Sequence, residues 1–153
     1  PFDLRQVAED VLSVISHKAI EKGVELIMSY DEFVPRQVIG DSFCLHRMLI
    51  NLIDNAIKFT DDGHVLVKFS NLKRFDDKTY IRITIEDTGI GIEDDIKDKI
   101  FNMFYRGSEL SKGNGLGLYI AKKVCERLNG TITQAPSPTA AIFRIQLDQR
   151  QLK

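Results

Sequence analysis

The stretch "KTYIRITIED", residues 78–87, confines the fold more than any other: Ile81, Ile83 and Ile85 alternate with Arg82, Thr84 and Glu86. A period of two describes a strand with one dry and one wet face, and the dry face demands a covering layer. "DDGHVLVKFSNL" just before it supplies a hairpin partner, and "GTITQAPSPTAAIFRIQL" reads as a second hairpin near the end of the chain.

The cover comes from helical segments. Leu4, Val7, Ala8, Val11, Leu12, Val14, Ile15 and Ala19 recur at helical spacing and Gly23 ends the pattern, which predicts an amphipathic helix over residues 4–22. "VELIMSYD" reads as a strand, "RQVIGD" after Pro35 as a short extended piece, and residues 42–59 as a second helix with Asp41 as N-cap. A short helix with Glu93, Asp94 and Asp95 in its first turn follows the hairpin. Residues 105–114 read as a mobile loop, and a third long helix spans 116–128 up to "NG". Hairpins grouped beside helices predict an α+β two-layer α/β sandwich, with a mixed, mostly antiparallel sheet and three main helices on one face.

At 153 residues the chain reads as a single domain, 1–153. A net charge of -1 gives no global basic field to hold nucleic acid or an anionic membrane. No apolar run approaches the roughly 20 residues that span a bilayer. Cys44 and Cys125 lie far apart within helical patterns, which fits buried reduced thiols better than a disulfide or metal site.

Three places ask for more than a fold. On "LHRMLINLIDNAIKFT", Leu45, Met48, Leu49, Leu52, Ile53, Ala56 and Ile57 form the dry face, while Asn51, Asn55 and Lys58 share another at i, i+4 and i+7. A solvated polar stripe is one reading. The other is a site for Mg²⁺ and phosphate, because two mid-helix asparagines forgo helix propensity, amide oxygens suit a hard cation and an ammonium suits phosphate. In "EDTGIGI", Asp87 closes a strand and Gly89 and Gly91 follow; this is either a tight turn, or a carboxylate that accepts from an amino group beside glycines open to a flat ring. In "KGNGLGLYIAKKV", Gly113, Gly115 and Gly117 lead into a helix start, either as a flexible loop or as an anion site. The spacing excludes a P-loop and a dinucleotide fingerprint.

Taken in order, these segments resemble the ATP-binding catalytic domain of sensor histidine kinases, in the superfamily shared with gyrase, Hsp90 and MutL. "NLIDNAIKFT" resembles the N-box, "DTGIGI" the G1 box, "IFNMFYRG" the F-box and "GNGLGL" the G2 box. The resemblance covers nearly the whole chain, and "PFDLRQVAEDVL" looks like the lead-in from a dimerisation helix, with residues 1–3 following that absent domain.

The resemblance implies ATP and Mg²⁺. Asp87 would take the adenine amino group, with Gly89, Gly91 and Ile92 beside it. Asn55 would be the Mg²⁺ ligand and Asn51 a polar contact to metal or phosphate. Lys58 would meet the phosphates and Phe59 line the pocket. Phe101 and Phe104 would anchor an ATP lid, with Tyr105 and Arg106 at its hinge and Arg106 within reach of a phosphate. Gly113, Gly115, Leu116 and Gly117 would shape the lid's far end, and Leu118 would begin the supporting helix.

Asn51 stands where the ATPases and serine kinases of the superfamily carry a general-base Glu. An amide takes no proton at neutral pH, whereas an imidazole nucleophile already offers a lone pair, so the reading is phosphoryl transfer to histidine rather than hydrolysis. The pattern departs from the family at "SPTAAIF", where Thr139 stands in place of the usual Gly-Thr near adenine, and in a short lid over 107–114. His17, His46 and His64 lack the phosphoacceptor motif, so the fragment is expected not to autophosphorylate. The implied partners are a dimerisation/histidine phosphotransfer domain and a response regulator or receiver domain, and no nucleic acid. The full-length protein would be a homodimer, the fragment a monomer, and the domain cytoplasmic, with or without a membrane anchor in the parent. A degenerate, nucleotide-responsive regulatory module is the alternative.

Overall fold

The structure, a computed structural model, describes residues 1–75, 78–89, 99–102, 117–135 and 141–150. Its elements in chain order are β1 (Phe2–Asp3), α1 (Leu4–Lys22), β2 (Glu25–Tyr30), β3 (Gln37–Val38), α2 (Ser42–Lys58), β4 (His64–Phe75), β5 (Lys78–Asp87), α3 (Gly117–Arg127), β6 (Gly130–Ala135) and β7 (Ala141–Arg150).

Local chemistry sets the helix ends. Asp3 caps α1 by accepting from the Gln6 N–H, and Asp41 caps α2 by accepting from the Cys44 N–H. α1 stops at Gly23, whose φ of 74° is left-handed and whose N–H bonds back to Ala19 and Ile20. α2 stops at Phe59.

The main sheet has five strands in the order β2-β4-β5-β7-β6. β2 runs parallel to β4 and every other pairing is antiparallel, so the sheet is mixed and mostly antiparallel, as expected. Register lines up one dry face: Val67 opposes Ile85, which opposes Phe143, and Phe69 opposes Ile83, which opposes Ile145 and then Ile132. All of these are buried. α2 lies centrally over β4 and β5, flanked by α1 on the β2 side and α3 on the β6 side. The two layers close one hydrophobic core on the helix-facing side of the sheet.

Three expectations need correction. A two-residue ribbon, β1 paired antiparallel with β3, adds a sheet that the sequence pattern does not reveal. Val14 is not on the dry face of α1: it is 54% exposed, while Leu4, Ala8, Val11, Ile15 and Ala19 are buried and Val7 and Leu12 pack half-buried against the core. Cys44 is half-buried rather than buried, since it sits in the first turn of α2 with its thiol on Asp41 Oδ2 at 3.2 Å; Cys125 is fully buried, and both are free thiols. The predicted helix at Glu93–Asp95, the loop at 105–114 and Thr139 lie outside the described residues.

Candidate functional site

Asp87 continues the buried row of β5, two residues beyond Ile85, so strand periodicity aims its carboxylate at the helix layer. It is 3% exposed. The N–H groups of Gly89 (2.9 Å to Oδ1) and Ala141 donate to it. Burial pushes its carboxyl above the usual carboxylate range, opposed by those two bonds, and Glu86 adds to the rise. Among the described residues no cation pairs with it. A buried carboxylate whose partners are two amides is costly to maintain, and a further donor group would relieve that cost.

The glycine after it is explained by α2. A Cβ on Gly89 would stand 2.2 Å from the Phe59 carbonyl oxygen, 2.8 Å from its carbon and 2.9 Å from Asp87 Oδ1. Gly89 therefore lets the end of α2 close onto the end of β5, and at this position the close approach is to protein backbone.

The end of α2 is itself fully closed. Of its last four carbonyls, Asn55 accepts from the Phe59 N–H at 3.1 Å, and Ala56 from Thr60 Oγ1 at 2.8 Å. Ile57 accepts from the Thr60 N–H at 3.2 Å and from Lys22 Nζ at 2.9 Å, and Lys58 accepts from the same ammonium at 2.5 Å. Thr60 is wholly buried. Neither Thr60 nor Lys22 stands out in the sequence: Thr60 lies just past the helix, and Lys22 acts on a helix end 35 residues away.

The polar stripe of α2 emerges as predicted. Leu45, Met48, Leu49, Leu52, Ile53, Ala56 and Ile57 are buried, Asn51 and Asn55 are half-buried, and Lys58 is exposed at the rim. α3 begins beside this stripe, since a Cβ on Gly117 would lie 3.6 Å from the Asn55 amide nitrogen. The positive end of α3 thus faces an amide of α2. Leu118 is half-buried against the core.

Phe101 stands edge-on to Phe143 with ring centroids 6.1 Å apart, and Lys122 Nζ of α3 lies 5.9 Å from its ring centre. Phe143 opposes Ile85, so Phe101 sits at the same end of the sheet as Asp87. The structure therefore gathers Asn51, Asn55, Phe59, Asp87, Gly89, Phe101 and Gly117 around the junction of α2, β5 and the start of α3. Gly91, Ile92, Phe104, Tyr105, Arg106, Gly113, Gly115 and Leu116 lie outside the described residues. His17, His46 and His64 are dispersed over α1, α2 and β4, with the His17 ring on the Val14 carbonyl at 2.8 Å. Among the described residues no cluster of three or more His, Cys, Asp or Glu is placed to hold a metal.

Comparison with known proteins places this geometry. Residues 40–151 match the family described as "Histidine kinase-, DNA gyrase B-, and HSP90-like ATPase". The signal transduction histidine-protein kinase BarA of Escherichia coli K12 is 34% identical over 155 residues, covering 97% of this chain and 17% of BarA. The sensor histidine kinase GacS of Pseudomonas protegens is 34% identical over 142 residues, covering 90% of this chain and 16% of GacS. The chain thus spans about a sixth of the length of these curated relatives. Among solved structures, full-length ShkA in complex with AMPPNP superposes with a TM-score of 0.87 at 27% identity, over 99% of this chain and 31% of ShkA. The mycobacterial sensor histidine kinase MprB superposes at 0.81 and 28% identity, over 99% of this chain and 98% of that one.

Proposed function

Because the chain belongs to the histidine kinase-, DNA gyrase B- and HSP90-like ATPase family, we propose that it is the ATP-binding catalytic domain of a two-component sensor histidine kinase. It binds Mg·ATP and passes the γ-phosphate to a histidine on a dimerisation domain outside this chain. The observation that carries this reading is Asp87: a buried carboxylate paired with no cation among the described residues, at the end of a dry sheet row, beside a helix that presents two asparagines.

The donor set fits the nucleotide. Asp87 has room in its chemistry for the exocyclic amino group of adenine, and Phe59 and Gly89 fix the backbone around it. Mg²⁺ keeps several waters and shares its remaining positions with phosphates, so Asn55 would supply an amide oxygen to it and Asn51 a neighbouring one. When bound, Mg²⁺ neutralises charge on the phosphates. Lys58 at the rim meets those phosphates, and the start of α3 at Gly117 offers its positive end to them. Phe101, packed edge-on to Phe143, would anchor the base of an ATP lid. Asn51 accepts no proton, so the chain positions the phosphate and leaves the nucleophile's own lone pair to attack. That ShkA is seen with AMPPNP, an ATP analogue, supports the reading.

Residues 1–3 then follow the dimerisation domain, the parent is a homodimer that hands phosphate to a receiver domain, and the catalytic domain is cytoplasmic. No described helix is long and apolar enough to cross a membrane. The test is transfer in trans: the chain, γ-labelled Mg·ATP and the separately purified dimerisation domain of the parent. Acid-labile, alkali-stable label on that domain's histidine is the expected result. Nucleotide binding without any transfer would replace the kinase with a regulatory nucleotide-binding module.

A further inference from the structure

α1 and α2 are joined by two lysines that do different things. Lys18 Nζ pairs with Asp54 Oδ1 at 3.0 Å on the flank of α2, a side-chain contact that holds the helices together. Lys22, one turn later, instead reaches the backbone at the end of α2, donating to the carbonyls of Ile57 and Lys58, with Asp61 Oδ1 at 3.5 Å. An ammonium here meets the negative end of the helix dipole and two carbonyls of the last turn, of which Ile57 also accepts from the Thr60 N–H.

The next residue is Phe59, whose carbonyl fills the space over Gly89. The Gly89 N–H in turn holds Asp87 Oδ1 at 2.9 Å. A continuous series of contacts therefore runs from Lys22 through the Lys58 carbonyl, Phe59 and Gly89 to the Asp87 carboxylate. We propose that Lys22 is a positioning residue of the nucleotide site: by fixing the last turn of α2, it sets how closely Phe59 approaches Gly89 and so the aim of Asp87. This rests on the reading of Asp87 as the adenine acceptor. Lys22 itself touches no nucleotide. Its influence runs through the backbone of the last turn of α2 to the adenine end, which ATP and ADP share.

The test is calorimetric titration of Mg·ATP and Mg·ADP into the wild type, Lys22→Met, Lys22→Arg and Lys18→Met, each at a temperature where circular dichroism shows it folded. Losing charge-assisted bonds to the end of α2 is expected to weaken ATP and ADP by the same factor, about tenfold, in Lys22→Met. Lys22→Arg keeps the donors and binds within about twofold of wild type. Lys18→Met breaks the flanking ion pair, and whatever it does to the melting temperature, its nucleotide affinity stays at the wild-type value. If Lys22→Met does not fold, Lys22→Gln replaces it, and faster exchange of the Gly89 amide proton in the apo protein is the expected signature. Wild-type affinity in Lys22→Met, or equal loss in Lys18→Met, overturns the positioning role while leaving the functional reading intact. Absence of nucleotide binding by the wild type refutes the functional reading, and the inference falls with it.

Discussion

Replacing Gly89 with alanine tests the junction on which the site depends. The new methyl group would begin 2.2 Å from the Phe59 oxygen and 2.8 Å from its carbon, both backbone atoms that cannot swing away as a side-chain tip would, with Asp87 Oδ1 next at 2.9 Å. Restoring ordinary van der Waals separation requires the end of α2 and the end of β5 to part by about 1 Å. Overpacking of this kind costs about 1–3 kcal/mol. The same movement stretches the Gly89 bond to a buried carboxylate, a charge-assisted contact worth about 1.5–3 kcal/mol. The alanine returns about 0.4–1 kcal/mol by restricting the unfolded chain. The net expectation is a loss of about 3 kcal/mol, or roughly 6–12 °C in melting temperature for a domain of this size. Gly23→Ala is the comparator: nothing lies within 4 Å of its Cβ position, and its φ of 74° accounts for about 1 kcal/mol. Urea unfolding of both variants decides the matter. A Gly89→Ala loss no larger than that of Gly23→Ala would refute the close-approach argument.

Other outcomes follow from the same geometry. Burial raises the Asp87 carboxyl, so ionising it opposes folding; that opposition is absent below the unfolded carboxyl value of 3.8 and grows as pH rises through the native value. Asp87→Asn should therefore gain stability relative to wild type as pH rises from about 3 to neutrality, and a margin independent of pH in thermal melts would contradict this. Thr60→Val leaves the Ala56 carbonyl without its hydroxyl donor in a dry site, and should lose about 1–2 kcal/mol in denaturant titration; a loss under about 0.5 kcal/mol would show that the bond contributes little. Burial pushes the Cys125 thiol up to about 12, and the Asp41 carboxylate raises that of Cys44. At pH 8 a thiol reagent should label Cys44 slowly and Cys125 only after unfolding, and prompt labelling of both would be inconsistent with the packing.

Much of this was legible because periodicity is a local signal. All seven apolar residues assigned to the dry face of α2 are buried, and the alternation that ends at Asp87 places its carboxylate inward without reference to any neighbour. The failures have a common cause in contacts that join distant segments. The β1–β3 ribbon is two residues long on each side and pairs Phe2 with Val38, so it leaves no period to read. Val14 has the spacing of a core residue and is nevertheless 54% exposed, which periodicity within one helix does not reveal. The backbone contact of Gly89 is invisible in the sequence because the Phe59 carbonyl arrives from another element. Lys22 looks like any basic residue in a last helical turn until α2 is folded beside it.

The central claim is that adenine meets the chain at the end of β5. Calorimetric titration of ATP, with and without Mg²⁺, into the wild type and Asp87→Asn tests it most directly. The account predicts saturable binding by the wild type, tighter with Mg²⁺, and loss of binding in Asp87→Asn although that variant remains folded. Binding of equal affinity in the two proteins would contradict the account and place the nucleotide elsewhere.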